Sequence, residues 1–191
     1  MILSRFLSHT RVTILFALLV IGAGWQSPAT ARSRPGHFAA SPQQQALVDD
    51  LERRTFDWFW QSADPKTGLV PDSYPGQSFS SIAAVGFGLT AYGIGAERGY
   101  ITRGQAAART LATLRFFAAA PQNDSEDDAT GYHGFFYHFL DMKTGRRAMR
   151  HVELSSVDTT LLLGGVLFAQ SYYDRDTPQE TEIRQLADTI Y

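Results

Sequence analysis

Cysteine is absent from the sequence. That single absence excludes disulfides, thiolate nucleophiles, and cysteine-ligated zinc or iron–sulfur centres. It also leaves no residue for a lipidated lipoprotein N-terminus. A basic excess is missing as well: 17 Lys and Arg against 19 Asp and Glu give a formal net charge of -2. With no cationic surplus and no long run of like charge, nucleic acid is not an expected partner. Long apolar runs are scarce, and the stretch from Val12 to Ala23 is short for a bilayer span. What remains is apolar and aromatic content, 44% and 13% of 191 residues, which is enough to bury the core of one substantial domain.

The first 31 residues have the layout of a secretory signal. Arg5, His9 and Arg11 precede the apolar stretch, and Ala29-Thr30-Ala31 supplies an A-x-A cleavage site. Export to the periplasm or the medium is expected, with no stable membrane insertion after cleavage. Residues 32–41, rich in Ser, Pro, Gly and Arg, are expected to be a linker. The remaining residues, 42–191, form the expected domain.

Five helices are predicted there from caps and apolar spacing. Ser41-Pro42 opens the first, whose stripe of Leu47, Leu51, Phe56, Phe59 and Trp60 is expected to be core. Turn residues fill 62–79, and Ser80 or Ser81 precedes a second helix over 82–97, apolar nearly all round and interrupted by Gly86, Gly88, Gly93 and Gly95. Thr102 opens a third over 103–119 that keeps Arg103, Arg109 and Arg115 in water. A long acidic and aromatic loop follows, in which Phe135 to Leu140 is expected to form a strand paired through Lys143-Thr144-Gly145. Ser155 or Ser156 caps a fourth, apolar helix over 157–173, and Thr177-Pro178 starts a fifth with Glu180, Glu182, Arg184 and Asp188 on its wet side.

The order is outer helix, long loop, inner helix, short link, repeated. Antiparallel hairpins of this kind place both long loops at the end where the inner helices begin, and helix N-termini favour anionic or polar ligands. The fold class is therefore all-α, the N-terminal part of an α/α toroid built of outer–inner hairpins. Two and a half pairs cannot close such a ring, so an exposed apolar edge is expected, and with it either further sequence beyond Tyr191 or a product of a broken frame.

Several stretches carry a family resemblance: Thr55-Phe56-Asp57-Trp58-Phe59-Trp60, Gly68-Leu69-Val70-Pro71-Asp72, Ser81 to Ala91, Gly95-Ala96-Glu97-Arg98-Gly99, Gly131 to Asp141 and Glu153 to Thr159. Together, in this order over residues 45–191, they resemble the bacterial glucoamylase-like domain family, related to β-1,2-glucanases and to a domain of cyclic β-1,2-glucan synthases. The resemblance implies a closed six-hairpin α/α toroid, and glycoside hydrolase or transglycosylase chemistry on a glucan or oligosaccharide. A non-catalytic carbohydrate-binding protein and an inactive truncated product are the alternatives.

Glycoside cleavage needs one carboxyl group to protonate the leaving oxygen and another to activate water or attack the anomeric carbon. Glu153, just before the cap of the fourth helix, is placed to point into the mouth of the bundle, while Asp158 in the first turn suits the helix dipole as well as catalysis. Asp141 is the third candidate, with turn formation as its competing role, and Asp72 is a candidate for a sugar hydroxyl. Tyr132, Phe135, Phe136 and Tyr137 offer faces on which pyranose rings could stack, His133 and His138 could bond hydroxyls, and Arg146 or Arg147 could hold an acidic sugar or pair with Glu153. Without a third ligand beside the two histidines no metal is expected, and no cofactor is implied.

Overall fold

The computed structural model describes residues 39–75 and 78–191, so the expected signal and residues 32–38 of the expected linker lie outside the described residues. Among the described residues there are five helices and four short strands. No described helix is long and apolar enough to cross a membrane.

Helix α1 runs Pro42–Ser62. The Ser41 side chain accepts from the Gln44 amide while the Gln44 side chain accepts from the Ser41 amide, a reciprocal cap with Pro42 in the first turn. Its expected apolar stripe is only half realised. Phe56 is buried and stacks against Trp60, but Leu47, Val48 and Leu51 are more than half exposed. The reason is length: Phe56 already meets the end of the neighbouring helix at Gly95 and the ring of Tyr100, so the preceding turns of α1 extend past that helix, uncovered among the described residues.

The two apolar helices expected to be inner are α2, Ile82–Glu97, and α4, Ser156–Tyr172. They touch backbone to backbone. A Cβ on Gly86 would lie 2.3 Å from the Leu161 carbonyl oxygen, and one on Gly165 would lie 2.2 Å from that of Gly86. The glycines that weaken α2 as an isolated helix are thus what lets it pack this closely. Helix α3, Arg103–Ala118, opens with the reciprocal Thr102/Gln105 cap and packs on α2. Helix α5, Pro178–Ile190, lies against α3 and α4.

Two arginines expected in water are not there. Arg103 donates from Nε and Nη2 to the two Glu180 carboxylate oxygens at 2.8 and 2.9 Å, and to the Tyr172 carbonyl at 2.8 Å. Glu180, expected on the wet side of α5, is only 4% exposed. Arg109 lies over the Trp60 ring at 4.4 Å and donates to the carbonyls of Trp60 and Ala63. Arg115 does stay exposed, paired with Glu182.

The strands tie the long loops together. β1, Phe79–Ser81, pairs antiparallel with β4, Phe139–Asp141, so the first long loop is bonded to the second. β2, Gly131–Tyr132, pairs with β3, Phe135–Phe136, through a turn in which His133 and Gly134 both have positive φ, 50° and 84°. The single strand expected over 135–140 is therefore two strands with different partners. The Lys143-Thr144-Gly145 turn does fold the chain back, through a Leu140–Arg147 bridge.

Candidate functional site

The inner helices begin at a common place, organised by main-chain bonds from residues 136–138. The Phe136 carbonyl accepts the Ser155 amide at 3.0 Å, and the Phe136 amide donates to Thr159 Oγ1 at 3.0 Å. The His138 amide donates to the Glu153 carbonyl at 3.0 Å, while the His138 carbonyl accepts the amide of Ile82, the first residue of α2, at 3.1 Å. One extended segment thus engages both helix N-termini, and its bonds use backbone groups that a helix leaves unpaired.

On this frame His138 lies between two carboxylates. Its Nδ1 is 2.9 Å from Glu153 Oε1, and its Nε2 is 3.5 Å from Asp158 Oδ1. The second Asp158 oxygen is held by the Ser155 hydroxyl in a short contact, and Ser155 Oγ also accepts the Asp158 amide at 3.1 Å. Asp158 is mostly covered, whereas the Glu153 side chain is 62% exposed. Its own backbone amide, and then the His138 ring, hold the Glu153 carboxyl below the usual carboxylate range. Glu153 and Asp158 do not share a helical face, as the spacing implied; the histidine joins them.

The remaining candidates divide. Asp141 accepts the amides of Lys143 and Thr144 at 2.9 and 2.8 Å. Burial pushes its pKa up, but those amide bonds outweigh it and hold the carboxyl below its ordinary value. The turn takes up this carboxylate. Asp72 is exposed, its amide donating to the Phe79 carbonyl, and nearby Tyr74 presents its ring to Trp58 at 5.8 Å.

Tyr132 and Phe135 sit on the β2–β3 hairpin, 37% and 47% exposed, and the His133 ring is 4.0 Å from that of Tyr132. The expectation that Phe136 and Tyr137 offer stacking faces is corrected. Phe136 is 4% exposed and meets the Phe117 ring edge-on at 5.2 Å; Tyr137 is 8% exposed beneath the Arg147 guanidinium. Alternation along the extended chain sends Phe135 outward and Phe136 inward. Arg146 and Arg147 do not engage Glu153. Arg146 pairs with Asp128 at 2.6 Å, and Arg147 donates to the Val152 carbonyl at 2.8 Å.

At the other end of the helix pair, a cavity of about 450 Å³ is lined by Gly93, Ile94, Phe168 and Tyr172. The carboxylates at its rim are already engaged: Glu52 with Arg98 and Glu97 with Tyr172. Among the described residues no three His, Asp or Glu side chains group as metal ligands.

Known proteins bear on this arrangement. An exo β-1,2-glucooligosaccharide sophorohydrolase of Parabacteroides distasonis is 29% identical over 150 residues, 76% of this chain and 20% of the relative. A crystal structure of a candidate glucoamylase from Bacteroides uniformis superposes with a TM-score of 0.65 at 30% identity, over 80% of this chain and 36% of that one. The chain is similar to glucoamylase-like and β-1,2-glucan-active proteins in sequence and in structure. An endo-β-1,2-glucanase from Chitinophaga pinensis, in complex with sophorotriose and glucose, gives a TM-score of 0.65 at 25% identity, again over 80% of this chain and 36% of that one. The glucoamylase-like resemblance legible in the sequence is therefore shown, over a chain that spans one fifth to just over one third of these relatives. No family model matches.

Two contributors to the site carried weak sequence signals. Ser155 is more than a helix cap, because its hydroxyl also orients Asp158; the Ser-x-x-Asp spacing is the signal for it. Phe139 stacks on the His138 ring at 3.7 Å and 18°, a contact between chain neighbours that aromatic density alone does not single out.

Proposed function

We propose that this chain carries one wall of the active site of an exported glycoside hydrolase or transglycosylase acting on a β-1,2-linked glucan or oligosaccharide. The observation that carries it is Glu153, an exposed carboxylate at the mouth of the inner helices, hydrogen-bonded to His138 and held in its charged form. A carboxylate so held suits activating water, attacking an anomeric carbon or accepting a sugar hydroxyl, rather than protonating a leaving oxygen. Asp158 is the second carboxylate of this wall. Tyr132 and Phe135 provide the flat faces for pyranose rings on the adjoining hairpin.

The hairpins are, on this proposal, outer–inner units of an α/α toroid. Support comes from the similarity to solved glucoamylase-like structures and from a stripe of exposed apolar residues, Phe87 and Ile94 on α2 with Val157 and Leu161 on α4, against which further units would pack.

The test is release of sugars from sophorotriose and from a panel of β-glucans. Glu153→Gln is expected to lower the rate by about 10²-fold or more with an unchanged circular dichroism spectrum. Full activity in that variant would remove Glu153 from the chemistry. Absence of cleavage on every glucan, in a folded protein that supplies the further units of the ring as well, would sink the hydrolase proposal, and calorimetric sugar binding without cleavage would identify a carbohydrate-binding protein instead.

A further inference from the structure

We propose that His138 is a positioning residue that bridges Glu153 to Asp158 and so fixes the direction in which Glu153 presents its carboxylate; the inference rests on the glycosidase function proposed above. Unsupported, an exposed glutamate at a loop end samples many rotamers, and ordering such a side chain has an entropic cost. His138 is built to supply that order. Its main chain is bonded on one side to Glu153 and on the other to the first turn of α2. Its ring is backed by Phe139, which itself meets Phe79 of β1 edge-on at 5.0 Å. The imidazole is therefore held by both long loops.

An ionised carboxylate only accepts hydrogen bonds, so the Glu153 contact requires the N–H on Nδ1. Nδ1–H donates to Glu153 at 2.9 Å, and Asp158 flanks Nε2 on the other side of the ring at 3.5 Å. The charged groups around it are few. Glu153 and Asp158 face the ring, and His151 acts on Glu153 from the same loop. The first turn of α2 carries no acid, and Asp141 on β4 is engaged by its own turn.

The experiment has two arms on the intact chain. Ring ¹⁵N spectra of His138 should change at Nδ1 in Glu153→Ala and at Nε2 in Asp158→Ala; a ring indifferent to both substitutions overturns the bridge. On sophorotriose, His138→Ala should lower kcat by about 10²-fold with KM held within about twofold. His138→Asn, whose amide can replace Nδ1–H toward Glu153, should recover about tenfold of that loss. Equal losses in the two variants, or a loss confined to KM, would contradict a positioning role. If the wild type cleaves nothing, the proposed function fails, and the spectra alone decide whether His138 bridges the carboxylates.

Discussion

Arg103 shows how much a single side chain can be asked to do. The Arg103 side chain is 18% exposed and holds the buried Glu180 carboxylate, while its guanidinium lies over the Tyr172 ring at 4.5 Å. Glu180→Ala removes two charge-assisted hydrogen bonds but leaves Arg103 its Asp174 and Tyr172 carbonyl partners, so it is expected to cost about 2 kcal/mol in urea denaturation. The same pair gives an acid dependence. The Arg103 hydrogen bond holds the Glu180 carboxyl below its ordinary value. A depressed folded pKa contributes stability above the unfolded value of 4.5, lost as pH falls through the folded value. Glu180→Gln should flatten that acid limb. Tyr173 acts at the other extreme, since burial pushes its phenol up to about 12 from 10.0. Its contribution is complete below pH 10 and declines toward about 12, because only the unfolded chain ionises there. Tyr173→Phe should reduce the alkaline decline in melting temperature, at a neutral-pH cost of about 1 kcal/mol for the lost Thr110 hydrogen bond.

Among elements, the α2–α4 contact decides most. Gly86→Ala and Gly165→Ala each place a methyl group against backbone that cannot yield, and each should destabilise by about 3 kcal/mol or more in chemical denaturation. Gly164 is the internal control. It is exposed, a Cβ there meets nothing within 4 Å, and Gly164→Ala should stabilise α4 by about 0.5–1 kcal/mol. The helix limits themselves were legible in the residues. Ser41, Thr102, Ser155 and Thr177 all accept a backbone amide from the first turn, and the predicted starts fall within one residue of the observed ones. Caps are local, so their chemistry can be seen in four consecutive residues. The β1–β4 pairing could not be seen that way. Three-residue strands carry no periodic signal, and the partners come from different long loops.

At the scale of the whole molecule, exposure separates core from surface on the same inner helices. Leu162 is fully buried between α2 and the loop core, whereas Leu161, one residue earlier, is 40% exposed beside Val157. Leu162→Ala should cost about 2–5 kcal/mol, and Leu161→Gln within about 0.5 kcal/mol, measured by denaturant midpoint in the chain as it stands. The outcome checks whether the uncovered stripe contributes anything to the stability of these five helices.

The sequence by itself determined where helices start, that α2 and α4 are apolar with little polar face, that the long loops gather at their N-terminal ends, and the glucoamylase-like resemblance. Each follows from local caps, apolar pattern or chain order. Tertiary structure decided which polar groups are covered and what faces them. Arg103 and Glu180 look like solvent residues until α3 is laid beside α5. Phe136 looks like a ligand platform until alternation turns it onto Phe117, and Leu47 and Leu51 look like core until α1 outruns its neighbour. The junction of Glu153, His138 and Asp158 belongs to the same class. Fifteen residues of chain separate His138 from Glu153, and only the bonds from residues 136–138 to both inner helices bring the ring between the two carboxylates.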